Sequence, residues 1–192
     1  MVLGGSGLLA SLGLIDRVRD WDLVTDAPVE RVLSAVPAFR GWSGSFRLRA
    51  RQPYASWFFL RLTPVPEGAP DAEPGPASAG RGSSRASPRP PGGLCRRPVD
   101  LIGGFAIRTA SGICQLPALQ GGTWEGVPTA SPEVWLVAYR LLNRHDRADL
   151  LAGYLRQHGA APDCVARMLR EPLPGEVRRE LESLLDSPRA AP

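Results

Sequence analysis

The N-terminal stretch of the chain combines residue types that bind phosphate and divalent cations. Asp20 and Asp22 flank Trp21 in "RDWDLVT", and residues two apart on a β-strand point to the same face of the sheet. Two neighbouring carboxylates repel each other and resist ionising together unless a cation compensates them. Because Mg²⁺ prefers carboxylate and phosphate oxygens, this spacing predicts a site at which divalent metal ions hold a phosphate-bearing substrate.

A glycine pair and a serine precede this acidic pair by one short helix. In Gly4-Gly5-Ser6, glycine permits close approach of a ligand to the backbone, and Ser6 adds a hydroxyl and is the expected N-cap of a helix over residues 7–14. A helix N-terminus offers unpaired N–H groups and the positive end of the helix dipole. The stretch therefore predicts a phosphate-binding turn beside the acidic pair.

A third carboxylate is expected from a second strand. Asp100 stands alone among apolar residues in "PVDLIGG", where an unpaired charge is costly. It is therefore the candidate to complete a site with Asp20 and Asp22.

The order of the predicted elements indicates an α+β fold. A strand over residues 21–25 is followed by a helix that begins near Pro28, and strands over 45–51 and 54–63 are expected to form a hairpin. Two or three short strands follow Val99. From Ser131 onwards, N-caps, prolines at first helical positions and a terminal Gly159 predict four helices. We therefore expect a small mixed sheet flanked by helices, followed by a C-terminal helical bundle.

Composition divides the chain into a core with one insertion. Residues 64–98 are rich in Pro, Gly, Ser and Arg, a composition that cannot bury apolar surface and predicts disorder. We expect residues 1–63 and 99–128 to form the core and residues 129–192 to form the helical region.

Charge and cysteine content narrow the class of protein. All 23 basic residues among the 192 are arginine, and the net charge of +4 attracts polyanions such as nucleotides or RNA. Three widely spaced cysteines without a CxxC pair indicate a reducing compartment, and two histidines offer too few ligands for a zinc site. The apolar residues 2–15 lack a basic flank and are too short to span a bilayer, so we expect a cytoplasmic protein with no membrane partner.

These motifs together resemble the DNA polymerase β-type nucleotidyltransferase superfamily. The signature is Gly-Gly-Ser, a short helix and then "DWDL" on a strand, and "RDWDLVTDAPVERV" is similar to the corresponding stretch of CCA-adding enzymes and bacterial poly(A) polymerases. The downstream segments look more like small stand-alone bacterial members, including aminoglycoside and toxin-type nucleotidyltransferases. "VDLIGG" resembles their third-carboxylate strand. "SPEVWLVAYRLLNRHDRADLLAGYL" resembles their helical segment, in which Arg140 takes the position of a basic residue facing the nucleotide and Arg144, Asp146 and Asp149 match an Arg/Asp-rich turn. The resemblance covers roughly residues 2–62 and 98–158.

The resemblance implies an enzyme that moves an NMP from an NTP, with ATP as the first candidate, to an acceptor hydroxyl with release of pyrophosphate. It implies two Mg²⁺ ions held by Asp20, Asp22 and Asp100, with Asp100 near the acceptor hydroxyl. It also implies that the triphosphate contacts Gly4, Gly5, Ser6 and Arg140. The acceptor stays open between a small-molecule hydroxyl, a tRNA 3′ end and a protein side chain.

Other interpretations of the same residues remain. "VLGGSGLLA" also fits a loose dinucleotide-binding turn, but that fold needs repeated strand–helix–strand units, which this chain lacks. The plainer alternative is that Asp20 and Asp22 are surface charges that pair with Arg17 and Arg19. A further alternative is a catalytically degenerate nucleotidyltransferase fold that binds a nucleotide or a partner without turnover. The absence of the family's N-terminal helix ahead of the first strand favours it, and the intact carboxylates oppose it.

Overall fold

A computed structural model describes residues 1–35, 42–47, 52–64 and 97–185 of the chain. Residues 65–96, nearly all of the segment predicted to be disordered, lie outside the described residues, as do the C-terminal ends of the helix predicted after Pro28 and of the strand predicted over residues 45–51.

The described residues form an α+β fold, which confirms the predicted class. The strands are β1 (Val2–Gly4), β2 (Trp21–Thr25), β3 (Trp42–Arg47), β4 (Phe58–Pro64), β5 (Val99–Gly103), β6 (Ala106–Thr109), β7 (Gly112–Gln115), β8 (Gln120–Trp124) and β9 (Val127–Ala130). The helices are α1 (Gly5–Ser11), α2 (Val29–Ala35), α3 (Pro132–Leu141), α4 (His145–His158), α5 (Pro162–Met168) and α6 (Gly175–Leu185).

Seven of these strands form one mixed sheet in the order β3-β4-β5-β2-β1-β9-β8, and β6 and β7 form a separate hairpin. β2 and β5 run parallel, whereas β1 pairs with β2 and β4 pairs with β5 in antiparallel fashion. The register places Asp22 opposite both Gly4 on β1 and Asp100 on β5. The two carboxylates predicted on different strands are therefore direct neighbours on one face.

The two faces of the sheet pack differently. On one face, Phe58, Leu60 and Leu62 alternate along β4 and bury themselves with Leu101, and Val29 and Val32 of α2 pack against them. On the other face, Val24 and Ile102 join the larger core, which includes the inner sides of α3 to α6. Asp22 and Asp100 share this second face because they lie two residues before Val24 and Ile102.

The C-terminal helices begin and end close to where their capping residues predict. The hydroxyl of Ser131 accepts a hydrogen bond from Val134 N at the start of α3, Pro132 takes the first helical position, and α4 ends before Gly159. The buried carboxylate of Glu133 accepts hydrogen bonds from the Ser131 hydroxyl and from Ala161 N, both at 2.6 Å. These contacts join the start of α3 to the start of α5.

Some local predictions differ from the structure. The first helix begins at Gly5 rather than residue 7, and its N-cap is Gly4 without a side-chain hydrogen bond, so Ser6 is not the cap. Tyr54 precedes β4 and pairs only in an isolated bridge with Ile107. Within the described ranges, no helix is long and apolar enough to cross a membrane.

Candidate functional site

A cavity of about 450 Å³ opens where β2 and β5 begin. We call it the acidic cavity; its lining residues are Arg19, Asp20, Asp22, Tyr54, Phe59, Asp100, Ile102, Phe105, Trp135, Leu142, Arg144, Asp146 and Arg147. It contains all three carboxylates that the sequence singled out. They come from two segments almost 80 residues apart in the chain, which the parallel pairing of β2 with β5 brings together.

Asp22 occupies the centre of this group. It lies between Gly4 and Asp100 in the sheet, and Asp20 stands one residue before β2 begins rather than on the strand itself. Burial, together with the negative charges of Asp20 and Asp100, raises the pKa of Asp22 to about 7 against the opposing effect of Arg144 and Arg147. A carboxyl group that resists ionisation beside two others is a group that a cation would stabilise.

Asp100 has a cationic neighbour on the adjacent strand. Arg61 pairs with Asp100 in the register of β4 and β5, and Arg61 Nη1 lies 3.4 Å from Asp100 Oδ2. Burial raises the pKa of Asp100 and Arg61 opposes that effect, while Asp20 adds to it. Half of the Arg61 side chain is exposed, so this is a weak, solvent-screened ion pair.

Gly4 and Gly5 bring the start of α1 against the site. A Cβ on Gly4 would overlap the Trp135 ring, and a Cβ on Gly5 would overlap the Asp22 carboxylate. Gly5 also has a φ of +55°, in the left-handed region that favours glycine. Ser6 is buried and its hydroxyl donates to Asp20 O at 3.1 Å. The Gly-Gly-Ser motif therefore fixes the backbone around the acidic pair.

We expect Gly5→Ala to destabilise the protein by about 3 kcal/mol, because the methyl group would meet Asp22 and the backbone conformation is strained for alanine. The matched control is Gly153→Ala in α4, where a Cβ meets nothing within 4 Å and alanine is the better helix former by about 1 kcal/mol. Urea unfolding of both variants measures the difference. Equal free energies of unfolding would contradict the close approach.

Arg140 lies away from the acidic cavity. Its Nε and Nη2 donate to both carboxylate oxygens of Glu180 on α6, each at 2.7 Å, and Nη2 also donates to Asp149 at 2.8 Å. Arg140, which the resemblance predicted to face the nucleotide, thus links α3 to α4 and α6 instead. Arg144 and Arg147 line the cavity, and the guanidinium of Arg147 lies 5.8 Å from the Tyr139 ring centroid.

A second, basic cleft adjoins the acidic cavity. It measures about 770 Å³, and its lining residues are Ser6, Ile15, Asp16, Arg17, Val18, Arg19, Arg97, Asp146, Arg147 and Leu150. We call it the basic cleft. It shares Arg19, Asp146 and Arg147 with the acidic cavity, and none of its four arginines forms an ion pair within the part of the chain that the structure describes. Sequence reasoning missed this cleft, although Arg17 and Arg19 directly precede the acidic pair.

The donor chemistry of the acidic cavity fits Mg²⁺. Three carboxylates face one cavity, and oxygen ligands of this kind suit magnesium, which keeps several waters and binds through few protein groups. Across residues 1–35, 42–47, 52–64 and 97–185, no three Asp, Glu, His or Cys side chains stand close enough together to enclose a metal ion as they are placed.

Comparisons of the chain with protein-family models, with curated proteins and with solved structures return no match.

Proposed function

We propose that the protein is a nucleotidyltransferase of the DNA polymerase β type, which transfers an NMP from an NTP to an acceptor hydroxyl. The observation that carries the proposal is the meeting of Asp20, Asp22 and Asp100 in one cavity beside a cleft whose four arginines form no ion pair among the described residues. Acidic groups for metal ions and basic groups for phosphates are the two requirements of this chemistry. The resemblance of the Gly-Gly-Ser and Asp-Trp-Asp motifs supports the same assignment.

Asp20, Asp22 and Asp100 would hold two Mg²⁺ ions. When bound, these ions supply Lewis-acid stabilisation of the charge on the reacting phosphate oxygens. The role of the carboxylates would be to hold the positive charge of the ions at the beginning of β2 and β5. The repulsion that raises the pKa of Asp22 would become favourable binding of the cations.

The basic cleft is the proposed site of the β- and γ-phosphates. Arg19 and Arg147 line both spaces, so a triphosphate extending from the carboxylates into the cleft passes these two side chains. Ser6 lines the same cleft, and its hydroxyl donates to Asp20 O, so binding a phosphate would require the hydroxyl to leave this contact. Arginine suits this task because it stays charged and binds phosphate oxygens in a bidentate manner.

The proposed step exchanges one phosphorus–oxygen bond for another. The acceptor oxygen forms a bond to the α-phosphorus while the bond between that phosphorus and the bridging oxygen to the β-phosphate breaks. Pyrophosphate leaves with the electron pair of the broken bond. The acceptor's proton passes to the Asp100 carboxylate, which the resemblance puts near the acceptor hydroxyl, and then to water.

The proposal predicts that one NTP will stabilise the protein only when Mg²⁺ is present. At 100 times its Kd, a ligand adds about 2.7 kcal/mol to the free energy of unfolding, which thermal denaturation detects. Each of the four NTPs is measured with Mg²⁺ and with EDTA, and Mg²⁺ alone serves as the reference. The absence of any Mg²⁺-dependent shift, in protein shown to be folded, would overturn the proposal.

Arg147→Ala and Arg140→Ala are expected to change different properties: the first mainly weakens nucleotide binding, and the second mainly lowers stability. Arg147→Ala should weaken Mg·NTP binding about tenfold or more, because this side chain lines both spaces and is placed to contact phosphate, and should lower stability by only about 0.5–1 kcal/mol through loss of its contact with the Tyr139 ring. Arg140→Ala should leave the Kd unchanged and lower the free energy of unfolding by about 2–3 kcal/mol, because Glu180 loses both of its hydrogen bonds to Arg140.

Isothermal titration with Mg·NTP and urea unfolding of both variants measure the two effects. A loss of nucleotide affinity in Arg140→Ala but not in Arg147→Ala would return the nucleotide-facing role to Arg140.

A nucleotide-binding module without turnover is the second candidate. It is favoured by the ion pair between Arg61 and Asp100 and by carboxylates that stand apart as they are placed. The two functions differ in one measurement: both predict the Mg²⁺-dependent shift, but only the transferase releases pyrophosphate when an acceptor is supplied.

A further inference from the structure

The acidic cavity contains a hydroxyl group of the protein itself. Among the described residues that line this cavity, Tyr54 is the one that carries a hydroxyl. That hydroxyl has no hydrogen-bond partner among the described residues, and it differs from the unpaired hydroxyl of Tyr139 in that it is not buried. An accessible, unpaired hydroxyl therefore belongs to the same cavity as the three carboxylates.

Two aromatic neighbours hold the ring of Tyr54 in place. The ring of Phe59 meets it edge-to-face with centroids 5.5 Å apart, and the ring of Phe105 stacks on it with centroids 6.4 Å apart. The backbone of Tyr54 is also held, by an antiparallel bridge to Ile107. Because the apolar part of the ring is engaged in these contacts, the hydroxyl is the group that Tyr54 presents to the cavity.

The register of β4 and β5 places this ring on the Asp100 side of the site. Phe59 pairs with Ile102, two residues along the strands from the pair that Arg61 forms with Asp100. Residues two apart on a strand share a face and are separated by about 6.5 Å. A ring that packs on Phe59 therefore lies beside the carboxylate to which the proposed reaction assigns the acceptor's proton.

The electrostatics of Tyr54 agree with this placement. Burial raises the pKa of the Tyr54 phenol, Arg144 opposes that effect, and the negative charges of Asp22 and Asp100 add to it. The phenol is thus close enough to both carboxylates to respond to their charge. It also keeps its proton at neutral pH, so it needs a base in order to attack phosphorus.

We propose that the hydroxyl of Tyr54 is an acceptor, so that the protein transfers an NMP to its own chain. This inference rests on the proposed function for its chemistry. The Tyr54 oxygen forms a bond to the α-phosphorus while the bond from that phosphorus to the oxygen bridging the β-phosphate breaks. Pyrophosphate leaves with the electron pair of the broken bond, and the phenol proton passes to the Asp100 carboxylate and then to water.

The product is a phosphodiester between Tyr54 and the 5′ oxygen of the nucleoside. Tyrosine is among the side chains that form covalent links of this kind, and its fixed position replaces a bimolecular encounter by a reaction within one molecule. The attached nucleotide fills the acidic cavity, so the reaction stops after one NMP per chain and limits the protein's further turnover.

The test begins with mass spectrometry of the full chain after incubation with each of the four NTPs and Mg²⁺, with EDTA as the reference. We expect one Mg²⁺-dependent NMP per chain. Trypsin cleaves after Arg51 and Arg61 and releases the peptide QPYASWFFLR, whose hydroxyl groups are those of Tyr54 and Ser56. Fragmentation of this peptide should place the NMP on Tyr54, because the Ser56 hydroxyl is buried and hydrogen-bonds to the backbone of Ala106.

Tyr54→Phe removes the acceptor oxygen and keeps the ring. It should lose the label completely and retain the Mg²⁺-dependent stabilisation by NTP, which also shows that the variant is folded. Tyr154→Phe is the matched control, since Tyr154 packs on His158 with ring centroids 4.3 Å apart and does not line the acidic cavity. This control should be labelled as the wild type is.

A mixture of two variants separates transfer within one chain from transfer between copies. Asp22→Asn keeps the Tyr54 hydroxyl but lacks the central carboxylate, and Tyr54→Phe has the reverse combination. We expect neither protein to be labelled in the mixture. Labelling of Asp22→Asn by Tyr54→Phe would contradict transfer within one chain.

The assignment to Tyr54 fails if the NMP is found on another residue, if Tyr54→Phe is still labelled, or if wild type stays unlabelled although Mg·NTP stabilises it. Failure of the proposed function has a different signature, because the Mg²⁺-dependent stabilisation by NTP is then itself absent. Site mapping on the wild-type chain decides the question even if Tyr54→Phe does not fold.

Discussion

Asp22→Asn is expected to lower kcat for nucleotidyl transfer by about 10³-fold or more. Asparagine has nearly the same shape but lacks the charge that would hold metal ions between the strands, and removing one preorganised electrostatic group costs about 10²–10³ in rate. Asp22 has the largest expected effect because it is the most buried of the three carboxylates and both Asp20 and Asp100 act on its charge. Pyrophosphate release, measured with Mg·NTP and an offered oligonucleotide 3′ hydroxyl, tests this.

The same substitution should raise the stability of the metal-free protein above pH 7. Asparagine removes a buried charge that Asp20 and Asp100 repel, so activity and stability are expected to change in opposite directions. The matched control is Asp163→Asn, on the exposed start of α5, which should retain wild-type kcat. Turnover retained by folded Asp22→Asn would exclude metal-dependent catalysis at this site.

Local chemistry was sufficient to predict the elements that carry the acidic pair. The sequence predicts a strand over residues 21–25 ahead of a helix start near Pro28, and the structure gives β2 the same bounds. Ser131, Pro132 and Gly159 marked the ends of α3 and α4 because caps act through hydrogen bonds within one turn. Asp100 was predicted to complete the site because it stands alone among apolar residues, but the pairing of β2 with β5 that makes it a neighbour of Asp22 depends on long-range contacts, which local patterns do not predict.

Arg140 illustrates what the sequence leaves open. Its place near the end of α3 agrees with a basic residue facing a nucleotide, but the direction of its side chain depends on α6, which begins 35 residues later and supplies Glu180. Arg147 lies in the region of the predicted Arg/Asp-rich turn, but the sequence analysis assigned it no role. Side chains on a helix change direction within one turn, so the sequence alone does not show which arginine faces the cavity.

The strands β8 and β9 were missed for a different reason. "QGGTWEGVPTA" contains three glycines and a proline, residues that are depleted in strands. β9 nevertheless pairs with β1 on one side and with the edge strand β8 on the other, and these tertiary contacts outweigh the local propensity.

The stability of the metal-free protein is expected to fall by about 2–4 kcal/mol as the pH rises from about 4 to about 7. Burial and the neighbouring carboxylates raise the pKa of Asp22 to about 7 in the folded state, whereas the unfolded chain releases this proton near pH 4. Over that interval the folded state binds one more proton than the unfolded state, so the free energy of unfolding decreases with pH. The raised pKa of Asp100 acts in the same direction.

Urea unfolding at half-unit pH intervals in EDTA, for wild type and Asp22→Asn, isolates the contribution of Asp22 as the difference between the two curves. That difference should be largest above pH 7 and should vanish below about pH 4. Because Mg²⁺ favours the ionised carboxylates, replacing EDTA by Mg²⁺ should restore much of the wild-type loss at pH 8 and leave Asp22→Asn less affected. Parallel curves for the two proteins would mean that Asp22 ionises normally, and the repulsion that suits this cavity to a cation would then be absent.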